Sequence, residues 1–297
     1  MRDLDLQTAA PGQPSYLSAA SGLVAAGRTL YVVADDELHI GQFQLGDPAP
    51  GTLQRLFAGE LPADRQLRKK RKPDLEILML LPPSKGWEHG ALLALGSGSR
   101  RRRCLGALLP LDVNGRAGPP VDIDATPLFA SLEGELGALN LEGGWVHGAS
   151  LWLLQRGNKG ASRNALVGFE FQALCETLQA DRMLPPVPPQ LIRTYDLGSP
   201  GGVPLGFTDG CALADGGWLF SAVAEDTADP GEDGRFSTAA IGMVDATLRL
   251  QWLRTISPLY KIEGICVTPM EDALQLLLVA DADDPRVPSS LLAATLD

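Results

Sequence analysis

Oxygen-bearing side chains recur at the head of five short apolar runs. They are Ser21 in Ala20-Ser21-Gly22-Leu23, Glu76 in Leu75-Glu76-Ile77-Leu78, Glu142 in Leu141-Glu142-Gly143-Gly144, Asp209 in Thr208-Asp209-Gly210-Cys211 and Glu263 in Ile262-Glu263-Gly264-Ile265. The intervals between them are 55, 66, 67 and 54 residues. Side chains repeated in register over units of this length point to a radial repeat that gathers them about one axis. Four carboxylates gathered there cannot all stay ionised without a cation, a proton or neighbouring bases. An all-oxygen donor set suits a hard cation with a flexible shell, calcium before magnesium, which demands a tight octahedron and keeps its waters. Zinc would want nitrogen or sulfur, and His39, His89 and His147 have no ligand spacing. The competing reading is a hydrogen-bonded channel in which Lys72 or Lys261 neutralises part of the charge.

A ring of this kind needs strands to hold it. Behind each start comes a second apolar run, such as Thr29-Leu30-Tyr31-Val32-Val33 or Trp218-Leu219-Phe220-Ser221-Ala222, and then a third. Four units add a fourth run, at Leu53, Val121, Leu191 and Leu250. Their length, flanking glycines and turn signals favour strands over helices. About 34 residues follow Glu263 and 20 precede Ser21, together one repeat. The expected fold is therefore all-β, a five-bladed β-propeller formed as one domain by residues 1–297, with blade starts near 21, 74, 140, 207 and 261. An N-terminal strand within residues 2–9, centred on Leu4-Asp5-Leu6-Gln7, completes the last blade and closes the ring. Six blades would need a spare pair of apolar runs, which neither longer repeat contains. The extra length lies at residues 127–139 and 172–189; the second is read as a short helix followed by a stiff proline tract.

Ser21-Gly22-Leu23 followed by Leu30-Tyr31-Val32-Val33-Ala34-Asp35, together with Tyr260-Lys261-Ile262-Glu263-Gly264-Ile265, resembles the first and last blades of the calcium-activated nucleotidase (apyrase) family. That resemblance implies a five-bladed propeller with a calcium ion on its axis, held by serines and glutamates at the blade starts. Ser21, Glu76, Glu142 and Glu263 match that pattern by type, and Asp209 stands where the family has serine. The Glu-Gly starts also resemble bacterial propellers described as phytase-esterase-like or SdiA-regulated. In the nucleotidases the second strand of the first blade ends in paired aspartates and an arginine near the catalytic centre. Here that place reads Ala34-Asp35-Asp36, while Arg156 falls near a family arginine of the third blade.

The ends of the second strands carry the remaining candidates. Asp35 or Glu225 is the expected general base, and Arg156 and Arg100 the expected holders of an anion. The Ser97-Gly98-Ser99 turn offers backbone amides to a phosphate or carboxylate, with Lys72, Asn158 and Lys261 nearby. Two functions follow: a calcium-assisted hydrolase of a phosphate-bearing small molecule, or a non-catalytic propeller with a structural axial ion whose rim binds a small anion or a protein.

Bulk properties limit the alternatives. A formal charge of −11 disfavours general nucleic-acid binding, and residues 68–72, although basic, read as a solvated connector. The acidic stretch 225–233 lacks the ligand order of an EF-hand. No apolar stretch has the length of a membrane span or a signal peptide, and Cys104, Cys175, Cys211 and Cys266 show no CxxC spacing, which fits a reducing cytoplasm. Trp145, Trp152, Trp218 and Trp252 read as packing between blades.

Overall fold

The computed structural model of the chain describes residues 1–7, 14–157, 163–226, 235–256, 260–270 and 273–296. Strand β1 (Arg2–Asp3) opens the chain, and the first blade follows as β2 (Ala20–Ala26), β3 (Thr29–Ala34), β4 (His39–Gln44) and β5 (Thr52–Arg55). Helix α1 (Arg65–Arg71) leads into the second blade, β6 (Leu75–Leu81), β7 (Ala91–Gly96), β8 (Leu105–Pro110) and β9 (Val121–Asp124). Helix α2 (Thr126–Leu136) precedes the third blade, β10 (Leu141–His147), β11 (Ser150–Gln155), β12 (Asn164–Glu170) and, beyond helix α3 (Phe171–Asp181), β13 (Leu191–Tyr195). The fourth is β14 (Leu205–Ala212), β15 (Trp218–Asp226), β16 (Arg235–Val244) and β17 (Leu250–Ile256); the fifth is β18 (Lys261–Pro269), β19 (Leu274–Asp281) and β20 (Ser290–Leu296).

These form five antiparallel sheets of four strands, a five-bladed β-propeller. β1 supplies the outer strand of the fifth sheet, with Arg2 opposite Leu291 and Asp3 opposite Ser290. The pairing lies two residues earlier than the sequence suggests. Leu4 and Leu6 instead turn into the core with Leu17, Leu23 and Leu277, so their burial rather than sheet pairing decides where the closing strand ends. Closure of this kind protects edges that would otherwise pair with other molecules.

The five inner strands share one irregularity. Each is broken by a β-bulge, between Ala20 and Gly22, Leu75 and Ile77, Leu141 and Gly143, Phe207 and Asp209, and Ile262 and Gly264. The unpaired residue is therefore Ser21, Glu76, Glu142, Thr208 or Glu263. A bulge re-aims one side chain out of the regular alternation, which is how a core strand presents a carboxylate to the axis. The next residue faces the adjoining inner strand. A Cβ on Gly143 would lie 2.6 Å from Asp209 Oδ1 and 2.9 Å from Asp209 Cα, and one on Gly264 would lie 3.1 Å from Ser21 O. The Glu-Gly pairs thus combine a bulge with a close backbone approach.

Both insertions contain helices that widen the core. Leu128, Phe129 and Leu132 of α2 and Leu174, Cys175 and Leu178 of α3 are buried together with Ile123, Leu151 and Phe169. Sequence patterning anticipates the second helix but not the first. Trp145 and Trp218, with ring centroids 5.1 Å apart, pack between the third and fourth blades beside Phe207 and Phe220. Among the described residues no helix is long and apolar enough to cross a membrane.

Leu4 is fully buried. Truncation in a packed site costs about 2–5 kcal/mol, so Leu4→Ala should lower the urea midpoint with the m-value unchanged. An unaltered midpoint would mean that the terminal segment does not hold the ring closed.

Candidate functional site

The repeat places three sets of residues at one end of the axis. The bulge positions Ser21, Glu76, Glu142 and Glu263 form the innermost set. Two residues earlier stand Ala19, Asp74, Asn140 and Lys261. Because each second strand is antiparallel to its first, its end returns to the same face: Asp35 N donates to Ala19 O, Ser97 N to Asp74 O and Arg156 N to Asn140 O. A cavity of 740 Å³ opens over these residues. Eleven carboxylate and eight cationic side chains line it.

Cations are interleaved with the acids. Lys72 Nζ contacts the Asp35 carboxylate and lies 3.1 Å from Asp74 Oδ1. Arg103 Nη1 donates to Asp74 Oδ2 at 2.6 Å, and Ser97 Oγ donates to the same oxygen at 2.5 Å. Arg156 reaches Glu142 at 3.6 Å and Glu225 at 2.9 Å. Lys261 Nζ lies 2.6 Å from Glu225, 3.0 Å from Glu263 and 2.7 Å from Asp283. Outside this inner tier, Arg68 of α1 binds Asp36 at 3.1 Å and Glu37 at 3.0 Å, pinning the helix to the first blade.

Burial and mutual repulsion dominate the electrostatics. Burial, then Glu142, Asp74 and Asp35, push the Glu76 carboxyl well above its ordinary range. Burial raises Glu142 to about 8, with Arg156 opposing and Glu263 adding to the rise. Glu263 is raised by burial too, against the pull of Lys261 and Arg156. Burial works against the Lys72 ammonium, but Asp35, Asp74 and Glu76 outweigh it and hold it above its usual value. Asp35, Asp74 and Glu76 each bring an oxygen within 4.8 Å of the others. Among the described residues five non-glycines have positive φ, and three of them, Ala19, Asp74 and Asp283, line this cavity. Backbone in that region persists only where its surroundings over-determine it, and such positions gather at functional sites.

The cavity brings together Ser21, Glu76, Glu142, Glu263, Asp35, Lys72, Arg100, Arg156, Glu225 and Lys261. Other expectations need correction. Asp209 is not on the bulge; Thr208 is, and its hydroxyl donates to Ile262 O at 2.8 Å, much as Ser21 Oγ donates to Leu75 O. Asp209 occupies the glycine position, where its carboxylate accepts from Gly210 N at 2.7 Å and Ile265 N at 2.9 Å, away from the cavity. The amides of the Ser97-Gly98-Ser99 turn are already engaged, Ser97 N with Asp74 O, Gly98 N with Arg103 O and Ser99 N with Ser97 Oγ. The buried Ser97 hydroxyl lies 2.5 Å from Asp74 Oδ2, so the turn supports a carboxylate rather than an exogenous anion. Lys72, Lys261 and Arg156 serve carboxylates of this chain instead of forming an open anion site. Residues 68–72 are helix and latch rather than a solvated connector. Asn158 and most of the acidic stretch 225–233 lie outside the described residues.

Sequence reasoning missed Asp74, Asn140 and Asp283, and it placed Asp281 and Arg103 at the ends of second strands without giving either a role. A signal for two of them was present: Asp74 and Asn140 each stand two residues before a bulge glutamate, as Lys261 does. The fourth blade has Gly206 there, and Arg156 packs over it, since a Cβ would lie 2.8 Å from Arg156 Cγ.

Asp281 provides a pH test. Burial, then Asp283, raise its carboxyl to about 7 from 3.8, while its Oδ1 accepts from Ala19 N at 3.1 Å. The folded state then binds the proton more tightly than the unfolded chain. That contribution is complete below about pH 4 and is lost as pH rises towards 7. Asp281→Asn keeps an acceptor for Ala19 and removes the titration. Its stability relative to the parent should therefore increase from pH 4.5 to 7.5 in urea titrations; a difference independent of pH would contradict the raised carboxyl.

Comparison with known proteins places the sequence in a family. No curated protein matches the sequence. The α-L-arabinofuranosidase PaAbf62A from Podospora anserina, solved in complex with cellotriose, superimposes with a TM-score of 0.54 at 11% identity over 99% of this chain and 95% of that one, a likeness of fold. The GH43 endo-arabinanase from Bacillus licheniformis gives 0.43 at 12% identity, covering 99% of this chain and 96% of its own. The Dos1 propeller gives 0.36 at 13% identity over 97% of this chain, which spans 62% of that structure's length. A family model described as "Family of unknown function (DUF6929)" matches residues 16–296, and the chain belongs to that family.

Proposed function

We propose that the chain is a ligand-binding propeller whose axial acids, Glu76, Glu142 and Glu263 with the Ser21 hydroxyl, hold a calcium-like cation as a structural centre. One observation carries the reading: the three glutamates occupy the same bulge of three inner strands, and burial raises all three carboxyls. A divalent cation relieves that crowding more fully than single lysines, and the acids at the bulges offer only oxygen, with no histidine or cysteine among the described residues lining the cavity. When bound, the ion supplies positive charge that keeps these carboxylates ionised. Lys72, Arg156 and Lys261 hold the surrounding acids in place. The 740 Å³ cavity above them has the size of a small-molecule site, and Arg100 at its rim offers an anion a partner.

A second reading, a metal-assisted hydrolase of a phosphate-bearing small molecule, draws on the same cavity and on Asp35, Arg156 and Glu225 within it. The ion pairs of those three residues with Lys72, Glu142 and Lys261 favour the binding reading over it. Hydrolysis of nucleoside diphosphates and generic phosphoesters in calcium should stay at background. Turnover abolished by Arg156→Ala would establish the hydrolase instead.

The cation reading has its own test. Calorimetric titration of chelator-treated protein with calcium should give saturable binding. At a hundredfold excess over Kd the stabilisation is about 2.7 kcal/mol, roughly a 5 °C rise in melting temperature. Glu142→Gln should weaken binding at least about tenfold. Asp209→Ala should destabilise the fold, by leaving Ile265 N and Gly210 N unpaired, with calcium affinity unchanged. Absence of binding heat with an unchanged melting temperature would leave the ion-paired channel as the correct description.

A further inference from the structure

Two carboxylate-free stretches, residues 65–72 and 100–103, carry ten of the chain's 25 lysines and arginines. The remainder holds 15 cations against 36 carboxylates, so these stretches stand against the charge of the whole molecule. The fold joins them. Lys72 at the end of α1 and Arg103 in the turn Arg101–Arg103 share the buried carboxylate of Asp74, at 3.1 and 2.6 Å, and Arg103 Nη2 donates to Lys69 O at 3.2 Å. Arg68 faces inward to Asp36 and Glu37. These inward cations fix a scaffold whose outer side presents Lys70, Arg71, Arg100, Arg101 and Arg102, all exposed.

The shape of this patch selects among polyanions. Helix α1 has seven residues, about 10 Å of length. Outside the two basic stretches the chain carries 15 cations against 36 carboxylates, so an anion longer than the patch meets net negative charge. Leu67 on α1 and Leu105, two residues beyond Arg103, are 47% and 46% exposed beside the cations. A short segment with clustered carboxylates and interspersed apolar side chains complements both features, and a duplex backbone complements only the charge. We propose that α1 and the Arg101–Arg103 turn form a docking surface for a short acidic peptide segment of a partner protein. The carboxylates of that segment pair with the outward arginines and Lys70.

The probe is a fluorescein-labelled peptide of about twelve alternating glutamate and leucine residues, followed by anisotropy at low and physiological salt. The full-length protein should bind it, and bind it more tightly than a duplex oligonucleotide of equal charge or phosphatidylserine vesicles. Arg101→Ser/Arg102→Ser and, separately, Lys70→Ser/Arg71→Ser should each weaken the peptide about tenfold, with melting temperatures equal to the parent's, since these side chains are exposed. No peptide binding, affinity unaltered in both double variants, or tighter binding of the duplex or vesicles would each overturn the proposal.

Discussion

Everything at the axis follows from how closely five inner strands approach one another. At the closest approaches the residue after the bulge has to be glycine or bond to its neighbour's backbone, whereas Ile77 of the second blade is buried there among Leu141 and Leu153. Gly22, Gly143 and Gly264 meet the first requirement and Asp209 the second. The preceding bulge releases one side chain per strand from the pleat and points it to the axis. Acidic side chains at three of those bulges then repel one another at the floor of the cavity, where partial withdrawal of charge from water is costly. The cations Lys72, Arg156 and Lys261 answer that repulsion, and Asp74 extends the network outward to Arg103 and the α1 helix.

The network is also a clamp. Asp74 receives hydrogen bonds from Ser97 and Arg103 and the ammonium of Lys72 while holding a positive φ of 59°. It links the start of the second blade, the end of that blade's second strand and the preceding connector. Arg156 does similar work one blade on, resting against Gly206 of the fourth blade while it reaches Glu225. Neighbouring sheets, which also pack through their second strands, are thereby cross-linked at the mouth by Lys72–Asp35, Arg156–Glu225 and Lys261–Glu225. Charged groups with one partner removed are destabilised far more than surface pairs, so the clamp tolerates little substitution.

Much of this was legible in the sequence because a radial repeat writes its axis once per blade. The blade count, the strand runs and the positions of Glu76, Glu142 and Glu263 follow from the recurrence. The error at the fourth blade has a specific cause. Asp209-Gly210 imitates the Glu-Gly pairs of Glu142-Gly143 and Glu263-Gly264, yet the bulge falls one residue earlier, at Thr208, the hydroxyl counterpart of Ser21. A bulge is a shift in pairing register, and a single sequence does not display its register. Ser97 was misread because a glycine-serine turn looks the same whether its amides face an anion or are bonded within the chain. Helix α2 escaped notice because its buried side is only Leu128, Phe129 and Leu132, too brief a pattern to separate from a loop.

The central claim is that the bulged residues of Ser21, Glu76, Glu142 and Glu263 form one cation site. The most direct measurement is a crystal structure grown in calcium, with anomalous scattering recorded from the axis. The account predicts a single anomalous peak there, with oxygens of those residues at about 2.3–2.6 Å. A peak-free axis, with water among the glutamates and Lys72, Arg156 and Lys261 in their ion pairs, would contradict it.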